Sequence, residues 1–303
     1  TYKLRMEQTA REVAEFSGFS ESMTYSFESP KVFDKLQIPT DSKLRQVVEI
    51  SNPLGEDFSI MRTTPLHGML NSLSTNYNRR NKNVQLYELA NIYLPKTLPL
   101  TELPDERMQF VLGAYGEVDF FDMKGVIEEF FDRAGMDKKP HYEPQSGKEW
   151  LHPGRQANIL YDGKVIGYLG EVHPDVADNY KIGEKTYLTI LDMPSVLPYA
   201  SYNRKYEGIA KYPAVTRDIS MVVPKSIMVG QIEDMIEQRG GKILESYELF
   251  DIYEGAQILA GHKSVAYSIT FRAGDRTLED KEVNKVMEKI LHGLRSMGIE
   301  LRA

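Results

Sequence analysis

Residues 217–223 read RDISMVV and residues 264–272 read SVAYSITFR. In the first, Ile219, Met221 and Val223 fall on one side and Asp218, Ser220 and Val222 on the other. In the second, Val265, Tyr267, Ile269 and Phe271 alternate with Ser264, Ala266, Ser268 and Thr270. A period of two is the mark of strands in a half-buried sheet. Between them, MVGQIEDMIEQRGG sets Val229, Ile232, Met235 and Ile236 at helical spacing, with Gly240-Gly241 as the stop. KILESYELFDIY, β-branched and aromatic, predicts a further strand. Thr277-Leu-Glu-Asp280 resembles a capping box, with Asp in place of Glu or Gln. It leads into an amphipathic helix through Val283, Val286, Met287, Ile290, Leu291 and Leu294, which Gly298 ends before a short closing strand, IELR. The order β-α-β-β-α-β is that of a ferredoxin-like split βαβ unit. Its two helices are expected on one sheet face, leaving the other bare.

Upstream the pattern is α+β in a less regular order. Residues 3–17 predict a helix ending at Gly18, SMTYSF (22–27) a strand, Pro30 to Leu36 a short helix, and QVVEISNP (46–53) a strand. A helix is expected after Pro65, through Leu66, Met69, Leu70 and Leu73. VQLYELANIYL and QFVLGAYG read as strands. DFFDMKGVIEEFFDRAG reads as a helix with Met123, Val126, Ile127, Phe130 and Phe131 inward. NILYDGKVIGYLG predicts a hairpin turning on Asp162-Gly163, and TYLTILDM a last strand. Strands and helices that do not alternate strictly imply an antiparallel sheet carrying helices. Residues 194–212, rich in Pro, Ser, Tyr and Asn, read as a linker between domains at 1–200 and 209–303.

The 303 residues are 41% hydrophobic and 27% charged, enough to build two packed domains rather than a disordered tail. No run of about 18 uncharged apolar residues occurs, so no membrane-spanning helix is expected. No signal or transit segment opens the chain, and a start at Thr1 suggests a processed chain or a fragment. The absence of cysteine excludes disulfides, thiolate nucleophiles and Cys-ligated zinc, and fits a cytoplasmic location. A net charge of −7 excludes a globally basic nucleic-acid binder but not one that uses a local face. Residues 1–208 hold 24 Lys/Arg and 30 Asp/Glu (−6), and residues 209–303 hold 13 and 14 (−1). The C-terminal part is thus the less repulsive surface for a polyanion.

No phosphate loop, GxGxxG turn, HEXXH or GxSxG elbow is present. The six histidines have no ligand spacing, and the acidic pairs Glu128-Glu129 and Glu279-Asp280 read as solvated helix faces and caps. Two stretches stand out, SNPLGEDFSIMRTTP (51–65) and WLHPGR (150–155), each a turn with satisfied polar groups or something more.

With YELANIYLP, WLHPGRQANILYDGKVIGYLGEVHP, KYPAVTRDISMVV and RTLEDKEVNKVMEKI, these stretches resemble, in order along the whole chain, the C-terminal portion of the bacterial phenylalanyl-tRNA synthetase β-subunit family. The resemblance implies a class II synthetase-like antiparallel sheet with helices, followed by a ferredoxin-fold anticodon-binding domain. Class II sites hold ATP with an arginine after an aromatic strand residue and another in a glycine-rich motif, because a planar guanidinium matches phosphate oxygens. Here Tyr87-Glu-Leu-Ala-Asn-Ile-Tyr93 runs into Leu94-Pro95, with no arginine. The first domain is therefore expected to be noncatalytic and to pack on the α subunit of an α2β2 enzyme. ATP and magnesium would serve the whole enzyme, with no cofactor in this chain.

In the second domain, strand parity puts Ser220, Ser264 and Arg302 on polar sides, with Tyr253 at the end of its strand. The resemblance sets anticodon contacts near these four. Tyr253 would stack on a base, the serines would offer hydroxyls and room, and Arg302 would meet a phosphate or base edge. Arg217, Arg272 and Arg276 are second-rank candidates. Tyr253 also reads as an edge aromatic packed on its hairpin. Two rival functions remain in view: a small-molecule-sensing regulatory protein on a ferredoxin-like module, and an independent class II-like enzyme, against which the missing arginines argue.

Overall fold

Val84–Leu94 and Asp105–Tyr115 form an antiparallel pair in register throughout, from Val84 opposite Tyr115 to Leu94 opposite Asp105. They are the spine of the larger of two units, Thr1–Arg204 and Lys205–Ala303, in a computed structural model that describes residues 1–206, 208–255 and 257–302.

In chain order the larger unit holds α1 (Tyr2–Phe16), β1 (Ser20–Glu21), β2 (Phe27–Glu28), α2 (Val32–Lys35), β3 (Ile60–Met61), α3 (Leu66–Asn78), β4 (Val84–Leu94) and β5 (Asp105–Tyr115). There follow α4 (Phe120–Arg133), β6 (His141–Pro144), β7 (Leu151–Tyr161), β8 (Lys164–Val172), α5 (Pro174–Asn179), β9 (Thr186–Asp192) and α6 (Met193–Val196). Seven strands form one sheet in the order β1-β4-β5-β9-β8-β7-β6, antiparallel except for β1 beside β4. Alternation along β5 splits the core in two. Phe110, Leu112 and Ala114 face α1 and α4, while Val111 and Tyr115 face α2, α3 and α5. α3 comes close because Gly113 lacks a side chain: a Cβ there would lie 2.6 Å from Met69 Cγ. The β7–β8 hairpin turns on Asp162 (φ 50°) and Gly163 (φ 75°), as a primed two-residue turn requires.

Two expected strands do not form as read, and of 22–27 only Phe27 enters a strand, opposite Met61. Ser22 to Tyr25 are irregular, because their donors go elsewhere. Ser22 N–H binds the Tyr87 carbonyl, and Thr24 donates from its N–H and hydroxyl to the Glu88 carboxylate at 3.3 and 2.8 Å. Residues 46–53 make a single bridge, Glu49 to Ile60, rather than a ladder. Part of the expected linker is core: α6 forms there, and Val196 and Ala200 are buried in the larger unit.

The smaller unit holds β10 (Val215–Pro224), α7 (Val229–Gly240), β11 (Leu244–Tyr253), β12 (His262–Phe271), α8 (Asp280–Ser296) and β13 (Glu300–Leu301). Its antiparallel sheet runs β11-β12-β10-β13, the expected split βαβ order. Ile219, Met221 and Val223, with Val265, Tyr267, Ile269 and Phe271, pack on Ile232 and Ile236 of α7 and on Val283, Met287, Ile290 and Leu294 of α8. α8 begins two residues later than the capping-box reading: Glu279, not Thr277, is its N-cap, and the Glu279 N–H donates to the Glu282 carboxylate at 3.2 Å. Among the described residues no helix is long and apolar enough to cross a membrane.

Candidate functional site

The even-numbered side of β12 is the face away from the two helices. Cross-strand register builds rows upon it. One row is Tyr253, Ser264, Val222 and Glu300. The next is Asp251, Ala266 and Ser220, and the Arg302 N–H donates to the Ser220 carbonyl at 2.8 Å. A third is Glu248, Ser268 and Asp218.

Tyr253 reaches this face through a β-bulge. Tyr247 and Leu249 pack into the core, so strict alternation would turn Asp251 and Tyr253 toward the helices as well. The register instead jumps between Leu249, opposite Tyr267, and Asp251, opposite Ala266. Phe250 is the extra residue, exposed to solvent. Beyond it Ile252 opposes Val265, and Tyr253 opposes Ser264. Tyr253 is 37% exposed. Gly255 makes room for it, since a Cβ there would lie 2.1 Å from the phenol oxygen.

Ser220, Tyr253, Ser264 and Arg302 are thus brought together. Ser264 is only 2% exposed, and its hydroxyl accepts from Arg302 Nη1 at 3.4 Å. The room expected at Ser264 lies beneath that guanidinium. The three second-rank arginines lie elsewhere. Arg217 is on the odd side of β10 and donates to Asp280 at the start of α8 at 2.7 Å. Arg272 binds Glu245 at 2.8 Å and the Tyr212 carbonyl at 2.6 Å, and Arg276 binds Asp275 and Glu282. All three sit toward the Phe271 end of the sheet, the end opposite Tyr253, and already have partners. Asp251, absent from the sequence reading, joins the group. No glycine or proline marks the bulge that sets its side, so no local signal could have found it.

The face is not basic. Asp218, Glu248, Asp251 and Glu300 share it with Arg302. Such a surface suits base edges better than phosphates: carboxylates and serine hydroxyls accept hydrogen bonds from base N–H groups, and a tyrosine offers a stacking platform.

The larger unit has an open cavity of about 650 Å³ over β4, β5, β9 and β8, flanked by Pro39, residues 41–44 and residues 147–150. It was expected to lack nucleotide-binding arginines, yet one arginine lines it. Arg107 forms a two-pronged pair with Asp192, its Nε donating at 2.9 Å and its Nη2 closer still, and its Nη1 meets Asp105 at 3.2 Å. These carboxylates hold the guanidinium charged, above its ordinary range, and with the Ser195 hydroxyl they occupy four of its five N–H donors. It has no fork left for a triphosphate.

The two distinctive stretches have structural work. In the first, the buried Arg62 donates to Glu88 at 3.1 Å, to the Asn91 carbonyl at 2.7 Å and to Thr24 at 3.0 Å. In the second, Arg155 Nη1 meets both Glu171 oxygens at 2.9 Å, and Trp150 is buried against the cavity.

Residues 1–193 match the family described as phenylalanyl tRNA synthetase beta chain CLM domain, and residues 210–302 match the ferredoxin-fold anticodon binding domain. Among curated proteins, the chain is 47% identical over 287 residues to a phenylalanine–tRNA ligase beta subunit of Clostridium acetobutylicum, covering 94% of this chain and 36% of that protein. It is 45% identical over 303 residues to the same-named protein of Clostridium tetani, covering 100% and 38%. Among solved structures, the pyrrolysyl-tRNA synthetase of Desulfitobacterium hafniense superposes with a TM-score of 0.53 at 12% identity, over 64% of this chain and 68% of that one. That likeness concerns fold alone, and it agrees with the class II-like sheet. The regulatory alternative finds no support in these comparisons.

Proposed function

Because the chain belongs to the phenylalanyl-tRNA synthetase β-chain family, we propose that it is the C-terminal part of the β subunit of a cytoplasmic phenylalanine–tRNA ligase, contributing tRNA contact rather than chemistry. The chain spans 36–38% of the length of the two relatives described above, so the ligase activity is that of a larger assembly. The observation that carries the reading is the row of Tyr253 and Ser264 on the face away from the helices, with Asp251, Ser220 and Arg302 beside it. On it, Tyr253 stacks on an unpaired anticodon-loop base. Asp251 and Ser220 accept from that base's N–H edge, and Arg302 meets a phosphate or carbonyl oxygen.

The larger unit is the scaffold. The neutralised Arg107 supports its inertness, so ATP and magnesium chemistry falls to an α subunit in an α2β2 enzyme. Met23, Tyr25 and Leu54 are largely exposed, and Tyr25 packs edge-on against Phe58 at 5.8 Å, an apolar surface suited to that subunit. Fluorescence anisotropy of the chain with phenylalanine-accepting tRNA, at fixed salt, tests the first claim. Saturable binding that an anticodon-loop mutant loses is expected, and equal affinity for both RNAs refutes it. Pyrophosphate–ATP exchange tests the second: the chain alone should show only background, with phenylalanine-dependent exchange appearing once α subunit is added.

A further inference from the structure

We propose that the cavity of the larger unit binds a small monocarboxylate with an apolar body, its carboxylate held by the Lys148 ammonium. The volume of about 650 Å³ suits a small organic ligand. Ile92, Leu94, Val165 and Ile190 give it an apolar lining. The charges in it sort by burial. Asp41, Lys43 and Glu149 are exposed at its rim, where water and salt screen them. Arg107 and Asp192 are half-buried but satisfy each other.

Lys148 alone is half-buried without a counter-ion: among the described residues no carboxylate lies within ion-pair distance of it. Its ammonium rests instead on two aromatic rings, 5.6 Å from the Trp150 centroid and 5.1 Å from that of Tyr168. The loop that carries it is fixed from below. Gln156 Oε1 accepts from the Ser146 hydroxyl and from the Lys148 N–H at 3.1 Å, and Gln156 Nε2 donates to the Lys148 carbonyl at 3.5 Å. A preorganised, partly desolvated cation gains more from a carboxylate than an exposed lysine does. With Lys43 screened at the rim, a single half-buried cation fits a monoanion better than a triphosphate, and it repels an amine. The inference is independent of the tRNA reading, because nothing on the smaller unit enters it.

Isothermal titration of the whole chain with phenylacetate, its neutral isostere phenylacetamide and phenethylamine decides the matter. Phenylacetate should bind saturably, roughly tenfold or more tightly than the amide, with the amine weakest. Lys148→Met should erase the preference for acid over amide, and Lys148→Arg should keep it. Absence of saturation, equal binding of acid and amide, or a preference that survives in Lys148→Met overturns the proposal. If Lys148→Met fails to fold, the acid–amide comparison on the unaltered chain and the arginine variant still decide it.

Discussion

Replacing Tyr253 by alanine removes the aromatic platform without touching the core, because the bulge at Phe250 has turned the ring onto the uncovered face. About two-thirds of the residue is already covered by the sheet and its neighbours, so the ring is held in place before RNA arrives. Stacking one base on such a ring contributes about 1–3 kcal/mol, which weakens binding by roughly fivefold to 150-fold when it is lost. Tyr253→Phe keeps the ring and should bind within about twofold of the parent. Gly255→Ala acts from outside the site: its Cβ would fall 2.1 Å from the phenol oxygen and push the ring aside, so binding should weaken, though less than in Tyr253→Ala. The assay is anisotropy with labelled tRNA at fixed ionic strength, with thermal melts showing that the variants stay folded. If Tyr253→Ala binds as the parent does, or if Tyr253→Phe is as weak as Tyr253→Ala, stacking by Tyr253 is refuted.

Further outcomes follow from charge and burial. Four carboxylates and one guanidinium share the face, so binding should depend weakly on salt, and Arg302→Ala should lower the slope of log K against log salt by about 0.7 per lost phosphate contact. An unchanged slope would assign Arg302 to a base edge or to Ser264 alone. Arg62→Met strands the buried Glu88 and should cost about 3–5 kcal/mol in urea denaturation, whereas Arg62→Met with Glu88→Leu should recover much of that loss; a double variant weaker than the single one would contradict the pairing. Burial raises the Glu28 carboxyl to about 8 despite Arg62. It stays protonated when folded and ionises when unfolded, so its contribution to stability falls as pH rises from about 4.5 to about 8. Burial and the Lys35 charge lower His67 to about 4, so its contribution is lost in the other direction, as pH falls from about 6.5 to about 4. Comparing urea midpoints of the parent and Glu28→Gln at pH 5 and 8 isolates the first effect. The variant should gain on the parent toward pH 8, and parallel curves would show that Glu28 does not titrate as described.

Much of this fold could be read from local pattern. β10 and β12 alternate cleanly because one face of each is core, and α4 and α8 carry apolar stripes at helical spacing. Segments 22–27 and 46–53 misled because β-branched and aromatic content marks a liking for extended backbone, not a partner. The hydrogen bonds of the first go to the Glu88 side chain and the Tyr87 carbonyl, far along the chain, and the second makes only a single bridge, to Ile60. The face of the candidate site was half legible. Ser220 and Ser264 follow from alternation, but Tyr253 and Asp251 depend on one unpaired residue that no composition signals. Arg107 and Asp192 lie 85 positions apart, so the neutralised arginine appears only after the sheet has assembled.

The guanidinium lying over Ser264 bears on the selectivity of recognition. A nucleobase seeking that hydroxyl must replace Arg302 there and offer the guanidinium another acceptor in exchange. An exposed arginine changes rotamer in picoseconds to nanoseconds, so the contact acts as a competitor for the hydroxyl and not as a brake on association. Shortening it to alanine should leave Ser264 open to any base that reaches it, and the gap in affinity between the parent tRNA and an anticodon-loop mutant should narrow.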